Sequence, residues 1–375
     1  KLPNVGTTIF TVMSALANKH GAINLSQGFP DFPSDPELID RVCHYMKEGF
    51  NQYAPMPGVE ALRQAIAAKI DRLYGTKPDP ATEITITAGA TQAIFTAIAT
   101  LVRPGDEVLV FEPAYDSYIP GIEVCGGKAI PFRLKAPDYR IDWAAVEAMI
   151  TPATRVIMIN SPHNPTGTIL EASDLQNLQA LVAKYRLWII SDEVYEHLIY
   201  DGLTHESVLK YPELYRRSFA AFSFGKTFHN TGWKLGYIVA PPLLTAEFRK
   251  VHQFNVFSCN APIQYALADY LTYPSHYEKL PSFYQQKRDY FLDAMKGSGL
   301  QPFDCKGTYF QLFDYNAVSD EPDTVFAETM TTRYGVAAIP VSVFYGAGLD
   351  EKVIRLCFAK KTETLREAAA LLRGI

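Results

Sequence analysis

Two lysines eight residues apart, Lys226 and Lys234, stand in the segment Ser223-Phe-Gly-Lys226-Thr-Phe-His-Asn-Thr-Gly-Trp-Lys234-Leu-Gly236. A lysine amine on a tight loop in a crevice suits Schiff-base chemistry. Desolvation and neighbouring positive charge lower its pKa and make the neutral nucleophile accessible. On spacing alone, a solvated loop lysine is the simpler account. Other candidates are scattered along the chain. Asp192, in Ser191-Asp192-Glu-Val-Tyr195, is either a reactive carboxylate or a helix N-cap. Gly89-Ala90-Thr91 reads as a strand-to-helix junction, whose unpaired N–H groups either hold a phosphate or form an ordinary cap. Arg355, in Ile-Arg355-Leu-Cys-Phe, has the planar fork that grips a carboxylate, or else makes a surface ion pair. Asn164-Pro-Thr-Gly167 by itself is a turn, and the proline after the asparagine excludes N-glycosylation.

These residues need elements to carry them. Short apolar runs alternate with amphipathic helical stretches: 84–87, 107–111, 155–160, 187–191, 219–222 and 236–239 read as strands, and Ala90–Val102 as a helix. That alternation predicts an α/β fold with a largely parallel sheet. Several runs end in the polar residues just named, and ligands of open α/β sheets collect at the carboxyl ends of strands. Five separate strand ends are thus expected to aim at one crevice. Beyond about residue 270 the texture changes. A long polar and aromatic helix, 275–296, precedes alternating strands at 307–313 and 353–358 and a closing helix at 363–373. The expected division is a large domain of residues 36–270 and a small domain of residues 1–35 with 271–375.

Length and composition set bounds on function. With 375 residues, 48% of them hydrophobic, the chain can bury a large core. Its net charge of −5 and the lack of a lysine/arginine block argue against nucleic acid and membrane partners. No apolar run reaches the roughly 18–20 residues of a membrane span. The opening KLPNVGTTIF lacks a signal-peptide pattern, and a cytoplasmic protein is expected. The five cysteines are odd in number and far apart, which speaks against a disulfide framework or a zinc site. Glu193 and His197 lack the second histidine of an HExxH site, so no metal is assigned.

The lysine segment closely resembles the Schiff-base motif of the class I (fold type I) pyridoxal-phosphate aminotransferases. The segments around Gly89, Tyr115, Asn164, Asp192 and Arg355 follow in that family's order, and the resemblance runs from Gly6 to the closing helix. It implies a large domain with a mostly parallel seven-stranded sheet and a smaller α+β domain. It also implies that Lys226 carries pyridoxal 5'-phosphate as a Schiff base and moves the proton. By the same resemblance Gly89, Ala90, Thr91, Ser223 and Lys234 hold the phosphate. Asp192 faces the pyridine nitrogen, Tyr195 and Asn164 the ring oxygen, and Tyr115 the ring face. Arg355 and Gly28 (in Asn24-Leu-Ser-Gln-Gly28-Phe29) receive the substrate carboxylate. Tyr53, in Asn51-Gln-Tyr53-Ala-Pro-Met-Pro-Gly58, reaches across the interface of a homodimer.

Lys234, where many members have arginine, points to the kynurenine/glutamine transaminase branch, and within it the chain is similar to the bacterial methionine aminotransferases. The stretch Phe254–Asn260 has no arginine for a second carboxylate. A pocket of Phe10, Phe29, Tyr53 and Phe257 is expected to favour apolar, thioether or aromatic side chains. Burying a methionine side chain contributes about 1.5–3 kcal/mol, whereas a second carboxylate would lie there unpaired. Ser258 replaces the histidine common in strong kynurenine users. The reading is therefore a ping-pong aminotransferase for methionine, with aromatic amino acids and glutamine as secondary donors and a 2-oxo acid as acceptor. Two alternatives stand beside it: a cystathionine or cysteine-conjugate β-lyase using the same lysine and aspartate, and a regulatory protein with an idle cofactor site.

Overall fold

In the computed structural model, which describes residues 2–3 and 5–375, seven strands form one sheet. Lys1 and Asn4, within the expected small-domain segment 1–35, lie outside the described residues. From one edge to the other the strands are Ile84–Thr87, Gly236–Val239, Ser218–Ser223, Trp188–Asp192, Thr154–Asn160, Glu107–Glu112 and Lys128–Arg133. Only Gly236–Val239 runs against its neighbours; the remaining pairings are parallel. Helices cover both faces, as the period-two burial requires. Val108, Val110, Val156, Met158, Ile190 and Phe219 pack in one core with helices Gly89–Leu101 and Pro242–Asn255. Their alternates, Leu109, Phe111, Ile157, Ile159, Ile189 and Phe222, join the larger core on the other face.

A four-stranded antiparallel sheet, in the order Ile339–Pro340, Val353–Cys357, Phe310–Asp314, Gln301–Pro302, makes the second unit. The early chain is tied to it. Ile23 and Asn24 pair in parallel with Val336 and Ala337, and the Cys357 amide donates to the Leu25 carbonyl at 2.8 Å.

The predicted strands and helices are present, and the chain adds two-residue strands and further helices; three differences have a clear local cause. Lys128–Arg133 is an additional strand: it lies at the sheet edge with a proline in its middle and mostly half-exposed residues, so its hydrophobic alternation is faint. The single helix expected over 275–296 is two, Ser275–Glu278 and Leu280–Ala294, because Pro281 opens the second. The strand expected from 307 begins only at Phe310: Thr308 has φ +67°, which turns the backbone out of the extended region.

Candidate active site

Six strands of the large sheet run in one sense, and five of their carboxyl ends border one cavity of about 250 Å³. Those ends supply Gly89 to Thr91, Tyr115 and Tyr118, Asn160 and Asn164, Asp192 and Tyr195, and Ser223 and Lys226. The reversed strand begins on the same rim, so the connection 224–235 both leaves and returns there and delivers Lys234 as well. Gln27, Gly28, Phe10 and Phe29 close the cavity from the early chain, and Phe310 and Arg355 from the small sheet. A larger cavity of about 450 Å³ opens beside Tyr139, His163 and Phe303. Its charged lining mixes Asp138, Asp304 and Glu171 with Arg140 and Lys306, and it holds neither Lys226 nor Arg355, so the chemistry belongs to the smaller cavity.

Lys226 sits in a one-turn helix, Phe224–Thr227, whose cap is Ser223: the Ser223 hydroxyl accepts from the Lys226 amide at 3.4 Å. Its amine donates to the Tyr309 hydroxyl at 2.9 Å and to the Gly28 carbonyl at 3.2 Å. Burial, joined by the charges of Arg355 and Lys234, pushes that amine down to about 8 against the pull of Cys357 and Asp192. Asp192 closes its strand as a buried carboxylate. Tyr118 donates its hydroxyl to Oδ2 at 2.5 Å, and the Val194 amide donates to Oδ1 at 3.3 Å. Burial pushes Asp192 up to about 6 despite those two donors, so it is ionised at neutral pH and has room to gain from a cationic neighbour.

Asn160 organises the next strand end. Its side-chain amide donates to the Asp192 carbonyl at 2.9 Å, and its oxygen accepts from the Asn164 amide at 2.8 Å. The Asn164 side-chain oxygen accepts from Arg355 Nη1 at 2.7 Å, which leaves its NH2 group as the donor available to a ligand. Arg355 is 1% exposed. Its guanidinium lies 3.8 Å from the Phe310 ring centre and 5.3 Å from those of Phe10 and Phe344. Nη2 donates to the Ser26 carbonyl at 3.2 Å, and Nε has no hydrogen-bond partner among the described residues. A buried guanidinium with an unspent donor is a site waiting for an anion. Burial lowers Arg355 to about 10, so it stays charged at neutral pH.

At the opposite strand edge Gly89 turns with φ +77° and opens the helix Gly89–Leu101. A Cβ placed on Gly89 would lie 3.5 Å from the Lys234 amine, so the ammonium is poised over a helix start whose first N–H groups have no intrahelical acceptor. Tyr195 packs edge-on to Tyr309 with ring centres 5.2 Å apart, and burial raises its hydroxyl pKa. An amine, a carboxylate, a phosphate-sized cationic turn and an unspent guanidinium in one cavity match the functional groups of pyridoxal phosphate and an amino acid.

Two expected pocket residues stand elsewhere in the chain. Tyr53 is 82% exposed and Phe257 57% exposed; they pack against each other at 5.1 Å and do not border the cavity. Phe257 has φ +66° just past the helix Pro242–Asn255, which turns it onto the surface. Of the four residues expected to form the side-chain pocket, Phe10 and Phe29 border the cavity within one chain. Asn160 was expected only as a polar strand end, without a role, and Tyr118, Ser26, Tyr309 and Phe310 were given none. Tyr118 lies three residues after Tyr115, the one spacing that hinted at a shared face.

The comparisons with known proteins agree with this architecture. The family model described as aminotransferase class I and II matches residues 20–372. The methionine aminotransferase of Escherichia coli K12 is 52% identical over 376 residues, covering 100% of this chain and 97% of that protein. A solved Escherichia coli structure reported to have a methionine aminotransferase function superposes with a TM-score of 0.98 at 52% identity, covering 100% and 98% of the two chains. The mouse kynurenine–oxoglutarate transaminase 1 is 32% identical over 402 residues, covering 98% of this chain and 95% of that one. A seven-stranded mixed sheet, a converging cavity and a match spanning most of the chain have one meaning: this chain belongs to the class I and II aminotransferases.

Proposed function

We propose that this aminotransferase transfers the amino group of methionine, and secondarily of aromatic amino acids and glutamine, to a 2-oxo acid, with pyridoxal 5'-phosphate held on Lys226. The carrying observation is that Lys226, Asp192 and Arg355, far apart in sequence, border one cavity. When bound, the cofactor supplies an aldehyde for the amino group and an aromatic ring that withdraws electrons from the substrate carbon. Lys226 is held with a lowered pKa, so its amine both condenses with an aldehyde and accepts the proton of the substrate carbon. With the cofactor bound, the negative charge of Asp192 would keep a ring nitrogen protonated, and Tyr195 and the NH2 of Asn164 would donate to a ring oxygen. Tyr115 would cover the ring face. Ser223, Lys234 and the turn Gly89-Ala90-Thr91 would hold the phosphate. Arg355, Gly28 and Asn164 orient the α-carboxylate, and Phe10 and Phe29 exclude water around the side chain.

Pairing of two copies belongs to the same reading. Tyr53 from a second chain reaches the phosphate, and Phe257, which packs on Tyr53, joins the side-chain pocket with it. Residues 36–270 form the large domain, and 1–35 with 271–375 the small one; the ties of Ile23 and Leu25 to the later chain support that division. The similarity to methionine aminotransferase and the absence of arginine from 254–260 support the donor.

The test has two readings. Borohydride reduction of the cofactor-loaded protein followed by peptide mapping is expected to leave the pyridoxyl group on Lys226. A donor screen against several 2-oxo acids is expected to rank methionine above aspartate by at least 100-fold in kcat/KM. Label on another lysine refutes the lysine assignment, and a preference for aspartate refutes the apolar pocket.

A further inference from the structure

Tyr309 directly precedes the strand Phe310–Asp314 of the small sheet and is 0% exposed. Its hydroxyl donates to the Gly28 carbonyl at 2.5 Å and accepts from the Lys226 amine at 2.9 Å, while that amine also donates to the same carbonyl at 3.2 Å. Three units of the fold meet in this triangle: the early chain, the small sheet and the lysine loop. Gly28 can approach because it lacks a side chain: a Cβ there would lie 2.6 Å from the Phe310 ring. The tyrosine ring is held independently of its hydroxyl, edge-on to Tyr195 at 5.2 Å and to Phe310 at 4.9 Å.

We infer that Tyr309 is a positioning residue for the lysine: its hydroxyl and the Gly28 carbonyl form a cradle that holds the Lys226 amine whenever that amine is not covalently engaged. The inference rests on the assignment of Lys226 as the reactive lysine. A neutral amine carries two N–H bonds and one lone pair. With both N–H bonds directed to Tyr309 and Gly28, the lone pair is the one valence left for a proton taken from substrate. The cradle thus fixes which side of the nitrogen works, and it aligns the base with the small sheet, whose strand Val353–Cys357 carries Arg355. The hydroxyl is a selective support, since hydrogen bonds to an ammonium are stronger than those to an amine. Removing that acceptor weakens the ammonium more than the free base.

Tyr309→Phe keeps the ring and removes the cradle oxygen. In the full chain stripped of cofactor, competitive acetylation across pH 6–10, read at the Lys226 peptide by mass spectrometry, gives the titration midpoint of that amine. The midpoint in Tyr309→Phe is expected to fall by roughly half to one pH unit. In the loaded enzyme kcat is expected to fall about 10-fold while KM for the amino acid changes less than twofold, since no substrate contact is lost. The control is Tyr284→Phe. Its hydroxyl is buried with no hydrogen-bond partner among the described residues, and its ring centre lies 5.9 Å from that of Tyr309. It is expected to leave midpoint and kcat unchanged. An unshifted midpoint in Tyr309→Phe, or an equal shift in Tyr284→Phe, overturns the cradle. Borohydride labelling of a lysine other than Lys226 would instead overturn the assignment beneath it, so the two failures are distinct.

Discussion

At the scale of single residues, Lys226 is the group whose environment works against its ordinary charge. Its amine titrates near 8 in the folded chain, against an ordinary lysine value of 10.5, because burial penalises the ammonium. Below pH 8 both the folded and the unfolded chain are protonated there and the penalty is complete; it fades as pH rises towards 10.5, where the unfolded chain also loses its proton. In the cofactor-free protein Lys226→Met is therefore expected to raise stability by on the order of 2 kcal/mol at pH 7. Urea denaturation at pH 7 and pH 10.5 checks this. A gain that is the same at both pH values would mean that burial of charge is not its source. Lys226, Asp192 and Arg355 were legible in sequence because each sits in a run whose order matches a whole family. Tyr309 was not, because Gly-Thr-Tyr-Phe reads as ordinary strand. Nothing local in it announces that its hydroxyl meets a carbonyl 281 positions earlier.

At the scale of elements, the turn after the strand Trp188–Asp192 is anchored from below by a buried ion pair. Lys69, on the helix Glu60–Tyr74, bonds Glu196, which also accepts from the hydroxyls of Tyr74 and Tyr237. Burial raises the Glu196 carboxyl, but the Lys69 ammonium outweighs it and holds it down at about 2. Lys69→Met would leave that carboxylate buried and unpaired, a cost of about 3–5 kcal/mol. The double change Lys69→Met with Glu196→Gln should recover much of the loss in chemical denaturation. If the single change costs under about 1 kcal/mol, the pair is not what anchors the turn. The sheet itself was legible because six of its seven strands are short runs buried on both faces. The edge strand Lys128–Arg133 was not: an edge needs no continuous apolar run, and Pro131 weakens what signal there is.

At the scale of the whole molecule, the chain leaves large apolar groups on its surface. Phe254 is 87% exposed, Tyr53 82%, Leu243 74% and Phe257 57%. A contiguous apolar patch on a surface favours association, and two of these residues, Tyr53 and Phe257, pack on each other. The wild-type protein is expected to sediment at twice the chain mass. Phe254→Asp with Phe257→Asp should shift it to the chain mass and weaken cofactor retention by about 10-fold. A wild-type monomer at micromolar concentration would end the dimer reading. Tyr53 and Phe257 were read from the sequence as pocket residues, Tyr53 across a dimer interface; within the single chain both lie on the surface and pack on each other.

The pairing of Ile23 and Asn24 with Val336 and Ala337, and of Leu25 with Cys357, bears on how the protein is made. Residues 23–25 find these partners only after Val336, Ala337 and Cys357 have been translated. Gly28 and Arg355, which border the same cavity, consequently come together only once the chain has been made through Arg355. In a nascent chain the lysine loop can be complete well before the guanidinium beside it exists.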